Sequence, residues 1–232
     1  MTTGKPRSLA FRIVRAVVIA ILAILLLPYL LTPLYHVANP ASSLMVWRRV
    51  TGKPVIRTWT PLTDISPALP LAVIIAEDAR FCTHRGVDFA ELKEAIGDAE
   101  DLSEMRGGST IVQQTAKNLF LWPRRSVVRK VLEFPLALWI DLILGKRRVM
   151  EIYLNIAEWG PNGEFGAEAA AQAAFRKPAK DLTAREAAQL ASILPNPRAR
   201  SAGRPGPGVR RLAGIYETRA RKSPEVAACL RR

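Results

Sequence analysis

The chain has 232 residues, with 34 Lys+Arg against 20 Asp+Glu and a formal charge of +14. Apolar residues make up 49%, too many for a disordered chain, and the length suffices to bury a core. There are only two Cys (Cys82, Cys229) and two His (His36, His84), and neither pair is closely spaced, which excludes a zinc finger and a disulfide-dense scaffold.

The charge sits at the ends. Residues 1–15 carry four bases and no acid, and residues 198–232 carry ten bases and two acids, which leaves +2 for residues 16–197. A nucleic-acid protein carries its basic stripe on the folded body, so nucleic acid is not an expected partner.

Residues 16–31 are an unbroken apolar run, and no residue from 16 to 47 carries a formal charge. About 20 helical residues cross the hydrocarbon core. The run reaches that length when residues 11–14 are included and Arg12 and Arg15 snorkel toward headgroups. Four bases precede it, and the next is Arg48. The positive-inside rule then puts the N-terminus in the cytoplasm and residues 36–232 on the far side. No small-x-small cleavage site follows, so an uncleaved anchor over residues 11–35, after a cytoplasmic tail of residues 1–10, is expected rather than a signal peptide.

Residues 36–59, punctuated by Pro40 and Pro54, read as a linker. Ser66-Pro67 signals a helix start. Helices are predicted over residues 71–81, 88–100, 110–120, 126–144 (kinked near Pro135), 147–157, 164–175 and 183–194. Strand-like alternation is scarce. Pro195-Asn196-Pro197 closes the packed part, residues 60–197, and residues 198–232 read as a solvated basic tail with a flexible stretch over 200–208. The fold class is mainly α behind one transmembrane helix. Cys82 and Cys229 are compatible with a disulfide outside the cytoplasm or with two separate thiols.

Three blocks carry chemistry. Residues 77–86 read EDARFCTHRG, and Glu77 ends the apolar segment 72–76. A carboxylate with apolar walls has a raised pKa, which suits a general base near neutral pH; a plain surface acid is the alternative. Asp78 has Arg80, Arg85 and His84 as possible partners. Residues 107–118 read GGSTIVQQTAKN. The glycines allow close backbone approach, Ser109 or Thr110 caps a helix, and Gln113 and Lys117 share a face. The phosphate-loop pattern GxxxxGKS/T is absent. Arg124, Arg125, Arg129, Lys130 and Glu133 form the third block, with Arg129 and Glu133 one turn apart. Residues 77–105 carry a net −6 and residues 106–148 a net +7. An acid-rich segment followed by a base-rich one fits a base beside a phosphate site.

Together these blocks resemble the family 51 peptidoglycan glycosyltransferases, the transglycosylase module of penicillin-binding proteins, in its stand-alone form. The motif ED-x-x-F-x-x-H-x-G is met by Glu77, Asp78, Phe81, His84 and Gly86. GGST-I-x-QQ-x-x-KN is met from Gly107 to Asn118, and RK-x-x-E by Arg129, Lys130 and Glu133. A fourth block holds Arg147 and the run EIYLN over 151–155, and a fifth runs from Arg185 to Pro195. Five ordered motifs are far more specific than any one.

The resemblance implies a lysozyme-like helical domain with a small membrane-apposed subdomain in a bacterial inner membrane, the catalytic part being periplasmic. It implies polymerisation of lipid II into β-1,4-linked glycan strands, with inversion and release of undecaprenyl pyrophosphate. Glu77 is then the general base. Lys117, Arg125, Arg129 and Lys130 neutralise the pyrophosphate, and Ser109, Gln113 and Gln114 line the donor site. Glu133, the second catalytic carboxylate of the motifs, holds either the basic residues or a divalent metal (Mg or Mn). The implied partners are lipid II, the growing strand and the membrane; other cell-wall synthases and division proteins stay open as partners.

The charges agree with transfer. Cutting a sugar–sugar bond takes two carboxylates because the leaving group is poor. Pyrophosphate leaves readily and needs cations plus one base. The competing readings are a wall-cleaving hydrolase and a non-enzymatic envelope scaffold bound through the basic tail.

Overall fold

The computed structural model describes residues 9–97, 108–124 and 126–231. Helix α1, Leu9–Leu31, has 23 residues. It is about 35 Å long, enough to cross a hydrocarbon core of about 30 Å. None of its side chains is buried by the rest of the chain, so its apolar surface faces outward all round, which fits a single-pass anchor. A 3-10 turn, Thr32–His36, follows. The chain leaving α1 is tied to the body. Trp139 Nε1 donates to the Tyr29 carbonyl at 3.1 Å, and Arg148 donates to the carbonyls of Tyr35 (2.7 Å) and Ala38 (2.6 Å).

The expected linker folds. Ser42 caps helix α2, Ser43–Val50, by accepting the Met45 N–H. Met45 is fully buried, and Arg48 is paired with Glu158 at 2.6 Å inside the body. A one-turn cap next to prolines carries too little periodicity to stand out in the sequence.

Helix α3, Ala68–Glu77, buries Leu69, Ala72, Val73 and Ile74 completely. It is apolar all round because α8 (Ala184–Ile193) and α9 (Pro207–Lys222) pack against it. Helix α4 is Phe89–Gly97, and the expected continuation to residue 100 lies outside the described residues. Helix α5, Ile111–Phe120, lies along α6, Val127–Ile156. The kink expected at Pro135 falls elsewhere. The φ/ψ values stay helical through Pro135 and break at Gly145 (φ 69°, ψ 165°), an angle pair that only glycine adopts without strain. Helix α7 is Ala167–Phe175. Among the described residues there is no strand, only isolated bridges such as Ile56 to Glu164.

The expected solvated tail is folded too. Its stripe Val209, Leu212, Ala213 and Tyr216 has helical spacing, and Val209 and Ala213 are buried. Surrounding arginines hid that stripe. The stretch expected to be flexible buries Ala202 and sets Gly203 against Ala174, where an added Cβ would lie 2.4 Å from the carbonyl oxygen. A 3-10 segment, Pro224–Leu230, closes the chain, and Cys229 forms a disulfide with Cys82.

Candidate active site

Glu77 is the last residue of α3, with a helix of buried aliphatics behind it. Its Oε2 accepts from Gln114 Nε2 on α5 at 2.8 Å. Gln114 Oε1 in turn accepts from the Tyr153 hydroxyl on α6 at 3.1 Å. Tyr153 is 1% exposed, so this relay holds the Glu77 carboxylate from inside the core. Burial pushes the Glu77 carboxyl above its ordinary value. The Gln114 hydrogen bond and the charges of Lys117 and Arg200 pull it partly back, while Asp78 adds to the rise.

Asp78 does structural work beside it. It is buried, both its oxygens lie 3.0 Å from His84 Nε2, and Oδ2 accepts the Ile111 N–H at 2.9 Å. The carboxylate thereby pins the first residue of α5 to the end of α3. Of its possible partners it takes His84, while Arg80 grips Asp88 with two nitrogens at 2.6 and 2.7 Å.

At the start of α5 the cap is Thr110, not Ser109. Thr110 Oγ1 accepts the Gln113 N–H, and Gln113 Oε1 accepts the Thr110 N–H, a capping box. Gln113 is therefore fully buried and turned back on the backbone. Its Oε1 is spent on the helix start, its Nε2 is buried without a hydrogen-bond partner among the described residues, and it does not line the cavity that Gln114 lines. Ser109, left free of capping, accepts from Lys130 Nζ at 2.7 Å.

Lys130 and Arg129 open α6 behind the Ser126 cap. Arg129 pairs with Glu133 one turn on, Lys130 Nζ lies 3.5 Å from Glu133 Oε2, and Arg129 Nε holds the Arg124 carbonyl at 2.8 Å. Glu133 is thus the buried counter-ion of two cations. A metal does not fit there. Its carboxylate is already engaged, and no group of three or more His, Cys, Asp or Glu gathers among the described residues. Burial, with the like charges of Arg129 and Lys117, brings the Lys130 ammonium down to about 8. Lys117, one turn along α5 from Gln114, acts on both Glu77 and Lys130, so the carboxyl and the cations share one site. Arg125 lies outside the described residues.

A cavity of about 190 Å³ opens along α5, lined by Gln114, Lys117, Trp122, Tyr153 and Glu158. Beyond it, α6 presents Val127, Val131, Leu138 and Leu142 as an exposed apolar stripe, with Val128 beside it. The spacing of four, seven and four residues puts these side chains on one helix face.

Tyr153 and Arg200 carry no role in the sequence reading. A hydroxyl inside the apolar run around EIYLN is the signal that could have found Tyr153, since a buried phenol takes a partner. Arg200 stands in the stretch expected to be flexible and gave no such signal.

A model of the transglycosylase family matches residues 45–214. Proteins described as biosynthetic peptidoglycan transglycosylases match nearly the whole chain. The one from Nitrobacter hamburgensis is 58% identical over 95% of this chain and 97% of its own length. That of Rhodopseudomonas palustris (strain TIE-1) is 60% identical over 95% and 93%. That of Agrobacterium fabrum is 50% identical over 97% and 98%. The chain belongs to the transglycosylase family.

Proposed function

We propose that this chain is a peptidoglycan glycosyltransferase that polymerises lipid II into β-1,4-linked strands during cell-wall synthesis. The reading is carried by one observation: a poorly hydrated carboxylate, Glu77, is held through Gln114 one helical turn from Lys117, whose charge acts on both Glu77 and Lys130. Glu77 takes the proton of the acceptor's 4-hydroxyl as that oxygen bonds to the donor's anomeric carbon. The bond from that carbon to the pyrophosphate oxygen breaks on the opposite side, so configuration inverts. Charge developing on the pyrophosphate is met by Lys117, Lys130 and Arg129, which are already in place and need no reorganisation. Glu133 keeps the last two aimed, and Ser109 orients Lys130.

The lipid end of the substrate stays in the bilayer. Helix α1 and the α6 stripe both offer apolar surface to it, and the bases before α1 favour an N-terminus in the cytoplasm. The catalytic part then works in the periplasm of a bacterial inner membrane, a compartment in which the Cys82–Cys229 disulfide persists.

Full-length protein supplied with labelled lipid II in detergent should make lysozyme-sensitive polymer, and Glu77→Gln should stay folded and make none. Polymer from Glu77→Gln at the wild-type rate removes Glu77 as the base. Muropeptide release from sacculi without any polymerisation would put hydrolysis in its place.

A further inference from the structure

The turn that follows Glu77 has little backbone bonding of its own. Phe81 N–H donates to the Asp78 carbonyl at 3.0 Å, and Thr83 and His84 N–H both reach the Arg80 carbonyl, at 2.8 and 3.3 Å. Side chains hold it instead. Asp78 ties its first residue to α5. Cys82, five residues after Glu77, is joined to Cys229 across 147 residues of sequence. The Cys229 N–H also points at Cys82 Sγ, 3.3 Å away. Cys229 lies in the segment Pro224–Leu230, which packs on α3 and α6. That segment is a fixed point: Ala227 and Leu230 are buried, and Arg147 Nη1, two residues past the Gly145 break, donates to the Leu230 carbonyl at 2.8 Å. Cys82 falls on an unspecified position of the first motif, and Cys229 lies outside all five.

We propose that the Cys82–Cys229 disulfide is a positioning strap for the catalytic turn. It holds residues 78–84 against the C-terminal segment and so keeps Glu77 and Asp78 in register with α5. Polymerisation therefore responds to thiol reductants. The inference rests on the assignment of Glu77 as base. Both cysteines are half-buried, within reach of a small reductant. Opening the strap takes two electrons and two protons, from a dithiol that becomes a disulfide or from a phosphine and water that become the phosphine oxide, and leaves Cys82 and Cys229 as thiols. The cations that bind pyrophosphate stand on α5 and α6, whereas the strapped turn follows the base directly. Loosening it lowers kcat and leaves KM in place.

Full-length protein purified without reductant is assayed on lipid II before and after a phosphine reductant, with thiols counted by a maleimide. The double variant Cys82→Ser/Cys229→Ser is assayed alongside. The untreated enzyme should show no free thiol. Reduction should lower kcat about tenfold, the scale of a modest misplacement of a reacting group, with KM changed less than about twofold. The far-UV spectrum should be kept at the assay temperature, and reoxidation should restore the rate. The double variant should match the reduced enzyme and ignore the phosphine. An unchanged kcat with both thiols titrated overturns the proposal. So do free thiols in the untreated enzyme, a loss confined to KM, and a loss that appears only with unfolding. If the oxidised wild type makes no polymer at all, it is the glycosyltransferase reading that fails, not the strap.

Discussion

On the proposed mechanism, Lys130 sets the alkaline limit of the reaction. Its ammonium is half-buried beside Arg129 and Lys117 and titrates at about 8, below the ordinary lysine value of 10.5. In the proposed mechanism the positive charge receives the pyrophosphate, and it is lost as pH rises through that value. With a pKa of about 8, roughly nine-tenths of the free enzyme carries the charge at pH 7 and roughly one-tenth at pH 9. The value of kcat/KM, which reports the free enzyme, should therefore fall about tenfold over that interval. Glu77 works in the opposite sense. Its carboxyl is raised by burial, and the base must be ionised, so the rate climbs as pH rises through that raised value. The profile is a bell with its acid limb above the usual carboxylate range. Initial rates at sub-saturating lipid II, at constant ionic strength from about pH 5 to 9.5, measure both limbs. Lys130→Arg keeps its charge throughout and should carry the alkaline limb beyond pH 9, whatever it does to the absolute rate. An alkaline limb that stays near 8 in Lys130→Arg, or its absence in the wild type, refutes the assignment of Lys130 as a phosphate-receiving cation.

Three further outcomes are expected. Tyr153→Phe removes the donor to Gln114 Oε1. It should lower stability by about 1 kcal/mol in a urea melt and reduce kcat several-fold with KM nearly unchanged; an unaltered kcat would show that the relay does not orient Glu77. Glu133→Gln leaves Arg129 and Lys130 without their buried counter-ion, and should cost about 3–5 kcal/mol by thermal or urea unfolding. A change under 1 kcal/mol would mean that the two cations are solvated. Val131→Glu with Leu142→Glu places charge on the exposed stripe of α6. Polymerisation should drop at least about tenfold with lipid II in liposomes and stay near wild type in detergent, and equal loss in both media would detach the stripe from the membrane.

What could be read ahead of the structure was local. The anchor was legible because hydropathy over about 20 residues suffices to define it. The starts of α5 and α8 were legible because a cap and its partner lie within four residues, and α8 shows the Thr183–Glu186 capping box. The same locality misled at Pro135, whereas the interruption expected between residues 144 and 147 falls at Gly145. A proline on the exposed side of α6 leaves the helix running, whereas Gly145 takes the positive φ that breaks it. Net charge misled at the C-terminus, where ten bases drew attention away from four residues at helical spacing.

Taken alone, the order of residues determined the membrane-length apolar helix, the helical class, the five motifs and hence the carboxylate and the cations assigned to the reaction. Only the packing of α3, α5 and α6 decided how they serve it. Gln114 reaches Glu77 across 37 positions, and Tyr153 reaches Gln114 across 39. Burial raised the carboxyl and lowered the ammonium. Gln113 and Gln114 are neighbours in sequence, yet the first closes a helix and the second holds the base. Successive side chains on a helix point about 100° apart, and what each one meets is set by which other helix lies there.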